Sequence, residues 1–193
     1  MLLNVLKMFK GFKRDAKSFS KPLFMSLGLV SLFSLSGCTQ VPKGVEPVQN
    51  FELERYLGQW HEIARLDHSF ERGLSAVTAT YSKREDGGVR VMNSGFNSET
   101  QAVKSAEGKA YFIGSQDIGS LKVSFFGPFY GGYHIAKLDP DYQIALVIGP
   151  NTDYGWILAR KKQPGLVNCE VYLQAAEELG IARADWIMDA PCQ

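Results

Sequence analysis

Short apolar-polar alternations recur along residues 59 to 162, each closed by a cluster of turn-forming residues. The segments 59–66, 76–83, 88–96, 106–113, 120–126, 132–139, 142–149 and 155–162 are rich in β-branched and aromatic residues and read as strands. Between them stand REDGG, SQDIGS, DPD and GPNTDYG, all suited to tight reversals. Such short connections force neighbouring strands antiparallel, and eight meandering strands fit either a sandwich or a closed up-and-down barrel. Closure removes both exposed edges, which favours the barrel. After Pro164 the period changes: Leu166, Val167, Val171, Leu173, Ala176 and Leu179 fall at mostly helical spacing and stop at Gly180, predicting one helix behind the strands.

Upstream the pattern differs. The run PLFMSLGLVSLFSLS, residues 22–36, is uncharged and shorter than the roughly 20 apolar residues that span a bilayer as a helix. Lys7, Lys10, Lys13, Arg14, Lys17 and Lys21 precede it against Asp15 alone, so residues 1–37 carry a charge of +5. A basic stretch followed by a short apolar one predicts a cleaved signal peptide over 1–37, starting at Met1 or Met8. Its end, LSGC, resembles the lipobox of bacterial lipoproteins. That resemblance implies that Cys38 becomes the first residue of the mature chain and carries a diacylglyceryl thioether, usually with an N-acyl chain such as palmitate. Thr39 follows rather than Asp, which by the usual sorting rule implies the outer membrane, facing the periplasm. Residues 39–50, with two prolines and a glycine but no periodicity, predict a flexible tether after the lipidated cysteine, leaving 51–193 as one folded domain.

The body, residues 38–193, has fifteen basic against nineteen acidic side chains, a net charge of −4 that offers no footprint for nucleic acid. His61, His68 and His134 lack the spacing of a zinc site, so no metal is expected. The chain contains no nucleophile elbow, phosphate loop or dinucleotide fingerprint, and no cofactor is implied. Cys169 and Cys192 form an even pair once Cys38 is acylated. In an exported protein they read as a disulfide stapling the C-terminal tail to the helix.

LGQWHEIAR opens the first strand with Gly58 and Trp60 in a G-x-W arrangement. This resembles the first signature of the lipocalins. LDPDYQIALVIGP, in which Asp141 and Tyr142 open the seventh strand, resembles the second, and GWILAR, ending in Arg160, the third. The body is therefore identified as similar to the lipocalins over residues 50–193, in particular to bacterial outer-membrane lipocalins and apolipoprotein D-like relatives. The resemblance implies an all-β, eight-stranded antiparallel barrel with one C-terminal helix, binding an apolar ligand inside. Physically, Trp60 fills the closed end, Arg160 lies over its indole face, and Gly58 permits a turn that a Cβ would obstruct.

Strict alternation from Trp60 puts Glu62, Ala64 and Leu66 inside and His61, Ile63 and Arg65 outside. The same parity from Arg160 puts Leu158 and Trp156 inside. In the second strand either Ala76, Thr78 and Thr80 or Val77, Ala79 and Tyr81 face inward, and one of Tyr111 and Phe112 does. No candidate wall carries a cluster of charge. Glu62 is the exception inside, and a buried carboxylate needs either a partner, expected near the floor, or a proton. At the mouth, LDHSFERG offers Phe70 as an apolar tip with Asp67, His68, Glu71 and Arg72 as a polar rim. FFGPFYGGY gathers Phe125, Phe126, Phe129, Tyr130 and Tyr133 about a glycine-rich hairpin. Candidate ligand contacts are thus Ala64, Leu66, Phe70, Thr78, Tyr111, Phe125, Phe129, Tyr133 and Trp156.

These features suit a lipid-anchored carrier of a fatty acid, lysophospholipid or similar amphiphile, serving lipid storage, transport or envelope maintenance, and not an enzyme. Two alternatives remain: a structural or self-associating lipoprotein with a filled barrel, and a lipocalin-fold enzyme. The latter would need a reactive group inside, and Glu62 is the one inward carboxylate, Cys169 lying on the outer helix. A homodimer is left open.

Overall fold

Tight turns between short strands leave each strand beside its sequence neighbour, and the computed structural model, which describes residues 38–161 and 169–189, shows the result. The strands are β1 (Gly58–Arg65), β2 (Leu74–Lys83), β3 (Val89–Asn97), β4 (Ala102–Phe112), β5 (Ser120–Phe126), β6 (Phe129–Leu138), β7 (Ile144–Ile148) and β8 (Gly155–Ala159). Every neighbouring pair is antiparallel, and β1 pairs with both β8 and β2 to close an eight-stranded barrel. A four-residue helix, α1 (Leu53–Tyr56), precedes β1. It is too short for periodicity to reveal.

Helix α2 (Glu170–Glu178) packs on the outer face of the barrel, shorter than the predicted segment, whose residues 166–168 lie outside those described. Gly180, at φ +85°, ends it: its N–H donates to Glu177 O and that of Ile181 to Ala176 O, a Schellman arrangement that a non-glycine residue would strain. Beyond a 3₁₀ turn at Arg183–Asp185, the two-residue strand β9 (Ile187–Met188) pairs with Ala64 and Arg65. Thus β1 pairs with β2 only through residues 58–61 and with β9 at its far end.

Two apolar clusters result. One lies inside the barrel, with Trp60, Ala79, Tyr81, Val91, Ala110, Leu121, Ile135, Val147 and Leu158. The other lies between the outer face of the barrel and α2, with Ile63, Ala64, Leu66, Leu146, Ile148 and Ile157 against Tyr172, Leu173, Ala176 and Trp186. Cys169 is buried in the second cluster, while its expected partner, Cys192, lies outside the described residues, as does the predicted signal peptide.

The expected tether is a fitted strap. It has no helix or regular strand, yet Val45 is buried in the outer cluster, Val48 N–H donates to Ile135 O, and Gly119 N–H donates to Val48 O. His134 explains part of this path: its Nδ1 meets Ser120 Oγ at 2.9 Å and its Nε2 meets Gln40 O at 3.1 Å. Proline content alone hid these partners.

Candidate functional site

The chain direction sorts the barrel ends. The turns β2–β3, β4–β5 and β6–β7 and helix α1 sit at one end, and the loops β1–β2, β3–β4, β5–β6 and β7–β8 at the other. At the first end Trp60 is fully buried and donates from Nε1 to Tyr56 O at 2.8 Å. The Arg160 guanidinium carbon lies 4.1 Å from its ring centroid, and the same group donates to Gln59 O, Arg55 O and Tyr142 O. Gly58 has φ +93°, and a Cβ there would stand 3.3 Å from Arg160 Nη1. A side chain there would strain the backbone and press on the Arg160 guanidinium.

Asp141 and Tyr142 precede β7 rather than opening it, because the Asp139 carboxylate accepts N–H bonds from Asp141, Gln143 and Ile144 and holds the turn. Tyr142, at φ +58°, lies under the Arg55 guanidinium, and its hydroxyl accepts from Glu52 N–H. These residues seal the floor. Above them the hydroxyls of Tyr56, Tyr133 and Tyr81 form a chain with spacings of 2.7 and 2.8 Å, and burial holds all three phenols well above their ordinary pKa.

The upper interior departs from strict alternation. Between Glu62 and Ala64 the register of β1 against β8 shifts, a β-bulge at Ile63. A bulge inverts the parity of everything after it. Ala64 and Leu66 therefore turn outward into the cluster beneath α2, and Arg65, expected outside, turns inward. Its Nη1 donates to Glu62 Oε1 at 2.7 Å, both side chains almost wholly buried. Glu62 thus finds its partner on its own strand rather than near the floor. Glu71, expected on the rim, is also buried, and its Oε2 accepts from Trp156 Nε1 at 3.1 Å.

The interior wall consequently carries the charge cluster that strand parity had excluded: two carboxylates about one guanidinium. Burial first, and then the negative charge of Glu71, pushes the Glu62 carboxyl up to about 7; burial raises that of Glu71. Arg65 Nε and Asn93 Oδ1 are buried without a hydrogen-bond partner. Asn93 stands opposite Ala106, on the same face of β3 as Val91.

Two other candidate contacts also face out. A second irregularity, between Ser75 and Thr78 with Ala76 at φ +50°, sets the face of β2 so that Ala79 and Tyr81 line the interior. Thr78 lies outside, opposite His61. Phe112 belongs to the interior cluster, whereas Tyr111 faces out and donates to Asp86 Oδ2 at 2.8 Å. Phe125, Tyr133 and Trp156 line the interior.

Room remains beside them. Gly131 faces in with Val123, its cross-strand partner, and a Cβ there would meet nothing within 4 Å. Gly108 admits the Phe125 ring, which a Cβ would approach to 2.9 Å. Residues 102–107 of β4 are exposed on both faces, inward Ala106 included, so the β3–β4 side of the mouth opens to solvent.

At the mouth His68, expected on a polar rim, is buried between Phe70 and Tyr154, its ring centroid 5.2 and 5.1 Å from theirs, and burial pushes its pKa down. Phe70 and Phe129 stand at the mouth, 60% and 77% exposed. Outside the closed end a depression of about 510 Å³ is lined by Leu53, Lys83, Arg84 and Gln116, its cations already paired: Lys83 with Glu54 and Arg84 with Asp86. Among the described residues no cluster of side chains could hold a metal, and no helix is long and apolar enough to cross a membrane.

A closed eight-stranded antiparallel barrel, plugged at one end by Trp60 and Arg160, open at the other and flanked by one helix, defines a ligand-binding β-barrel. Residues 51–190 match the lipocalin-like domain family, and the chain belongs to the lipocalins. It is 60% identical over 119 residues to the outer membrane lipoprotein Blc of Citrobacter freundii, covering 62% of this chain and 67% of the relative. To the Blc of Vibrio cholerae it is 51% identical over 147 residues, 76% and 86% of the two chains. Temperature-induced lipocalin-1 of Arabidopsis thaliana is 34% identical over 145 residues, 70% and 75%. Among solved structures, insecticyanin of the tobacco hornworm superposes with a TM-score of 0.61 at 20% identity, covering 77% of this chain and 85% of that one. The tryptamine-bound amine-binding protein of Rhodnius prolixus gives 0.55 at 14%, over 78% and 86%.

Proposed function

We propose that this protein is a lipid-anchored lipocalin of the outer membrane that holds one fatty acid, lysophospholipid or similar amphiphile, storing or moving it within the envelope. The observation that carries this reading is the vertical order of the interior. A sealed aromatic floor lies under an apolar shaft, above which inward Gly131 leaves space beside Phe125 and Trp156. An acyl chain suits that shaft, since small-molecule sites are concave and mostly apolar with a few placed polar groups. Arg65 Nε and Asn93 Oδ1 are two buried polar atoms without a hydrogen-bond partner that suit a ligand's oxygen and its N–H or O–H group respectively. The lipobox-like LSGC and the name of the bacterial relatives, outer membrane lipoprotein, support the anchor and the compartment.

The test is a titration of delipidated protein, followed by tryptophan fluorescence, with a lysophospholipid, the matched fatty acid and a short alcohol. Trp156 lies in the upper interior and reports occupancy. Saturable binding of either lipid below its micelle concentration supports the carrier. A folded protein that takes up neither is the structural lipoprotein with a filled barrel.

A further inference from the structure

A carrier of purely apolar cargo has no use for ions in its wall. Glu62, Arg65 and Glu71 are nevertheless 4%, 5% and 6% exposed, and a buried charge is costly unless it is matched. Here the match is unequal, because two carboxylates share one guanidinium. Arg65 Nη1 donates to Glu62 Oε1 at 2.7 Å and Nη2 to Leu74 O at 3.4 Å, while Glu71 Oε2 accepts the Trp156 indole N–H. Arg65 Nε has no partner. With both carboxylates ionised the cluster carries one negative charge; with a proton on either it is neutral.

The surrounding groups leave the two carboxylates as the titrating members. In the β1–β2 loop, His68 is stacked between Phe70 and Tyr154 with its pKa pushed down by burial, and Asp67 and Arg72 are joined to each other in solvent. Asp189, beyond β9, adds a smaller push on Glu62 in the same direction as Glu71. Strand β2 contributes the Tyr81 phenol, which burial keeps protonated, β3 the Asn93 amide and β8 the Trp156 indole. Lys104, opposite Gly95 and on the same face of β4 as Ala106, is exposed at the rim, where solvent screens it. Lys122 and Lys137 lie over Tyr130 and Tyr172, outside the barrel. Burial and the charge of Glu71 bring Glu62 to about 7, so a proton on the pair is readily gained or lost near neutral pH.

We propose that this cluster makes the binding of anionic amphiphiles proton-linked: as Arg65 Nε–H donates to an oxygen of the headgroup, one of the two carboxylates takes up a proton from solvent. Without that proton, three negative groups would share one guanidinium out of water. With it, the bound state carries no more charge than the empty, fully ionised cluster. Carboxylate and phosphate headgroups share this requirement, whereas a neutral headgroup brings no charge and takes up no proton. The inference rests on the reading of the barrel as a lipid carrier. Linkage sets its size: an anion that raises the shared carboxyl by one pKa unit binds about tenfold more weakly above both values than below them.

The test titrates delipidated protein with decanesulfonate, whose charge is fixed across this range, and with monodecanoylglycerol, which has none. Tryptophan fluorescence gives affinities at about pH 6 and about pH 8, and calorimetry at about pH 7 compares phosphate with Tris buffer. The expected result is a sulfonate affinity about tenfold or more weaker at the higher pH, a binding heat that differs between buffers in the sense of proton uptake, and a monoglyceride affinity that does not move. Glu62→Gln and Glu71→Gln each keep an oxygen acceptor for Arg65 or Trp156 while removing a titrating group, and at least one of them flattens the sulfonate profile. Sulfonate binding independent of pH and of buffer, beside a monoglyceride that still binds, would overturn the inference and leave the carrier standing. A pH profile that neither variant alters would also overturn it, giving the proton to another group such as His68. If neither ligand binds at any pH, the carrier reading falls and the inference with it. The wild-type heats decide among these outcomes even where a variant does not fold.

Discussion

Gly131→Leu is the perturbation that separates an open cavity from a filled barrel. Gly131 lies in β6 on the same face as Val123 and Tyr133, and a Cβ there meets open space. A leucine side chain at this point occupies the volume of about four methylenes of a bound acyl chain, each contributing about 0.8 kcal/mol on burial. The loss is about 3 kcal/mol, or roughly a hundredfold in affinity for any ligand that uses the shaft. Stability moves the other way or not at all, because replacing a strand glycine removes about 0.5–1 kcal/mol of conformational entropy cost. The assay is tryptophan-detected lipid titration beside a urea unfolding curve. Ala64→Leu is the control: strict alternation places Ala64 in the cavity, but the bulge places it under α2, so overpacking there costs about 1–3 kcal/mol of stability and leaves affinity intact. Unchanged affinity in Gly131→Leu, or loss of binding in a stably folded Ala64→Leu, would refute the assignment of faces.

Three further outcomes follow from the interior. Glu62 has its carboxyl raised from 4.5 to about 7, so it stabilises the fold fully below its unfolded pKa, and that contribution is lost as pH rises through about 7. Urea midpoints measured from pH 4.5 to 8 should fall with rising pH, and Glu62→Gln should flatten the slope; an unaltered slope would show that Glu62 does not titrate in that window. Tyr133→Phe removes the hydroxyl that joins Tyr56 to Tyr81 and leaves two buried groups short of a partner, at a cost of about 1–3 kcal/mol; a urea midpoint equal to wild type would contradict this. The bridge proposed between Cys169 and Cys192 predicts that unfolded, unreduced protein lacking the Cys38 thiol shows no reactive thiol and that reduction lowers the melting temperature; two reactive thiols would exclude it.

The strands, the closed barrel and the outer helix could be read from residue pattern because alternation and turn chemistry are local. Trp60 with Arg160 could be read as well, through the LGQW and GWILAR segments that resemble lipocalin signatures. The upper cavity could not. EIARL carries no glycine or other bulge signal, so nothing in it shows that Ile63 and Ala64 both face out and Arg65 in. One added residue in β1 exchanged two cavity candidates for an ion pair, and it also answered the question of how Glu62 is tolerated. Glu71 and His68 were misplaced for a different reason. Their burial depends on Trp156 and Tyr154, which arrive from the far end of the domain. Tyr111 and Thr78 were undecidable between two faces until the register with neighbouring strands fixed them.

Native mass spectrometry of the lipoprotein, gently extracted from its own membrane, tests the central claim most directly. The account predicts a fraction of molecules with one lipid per barrel beyond the acyl groups on Cys38, and loss of that adduct in Gly131→Leu. A folded protein with no such adduct, or one whose adduct survives Gly131→Leu undiminished, would contradict it.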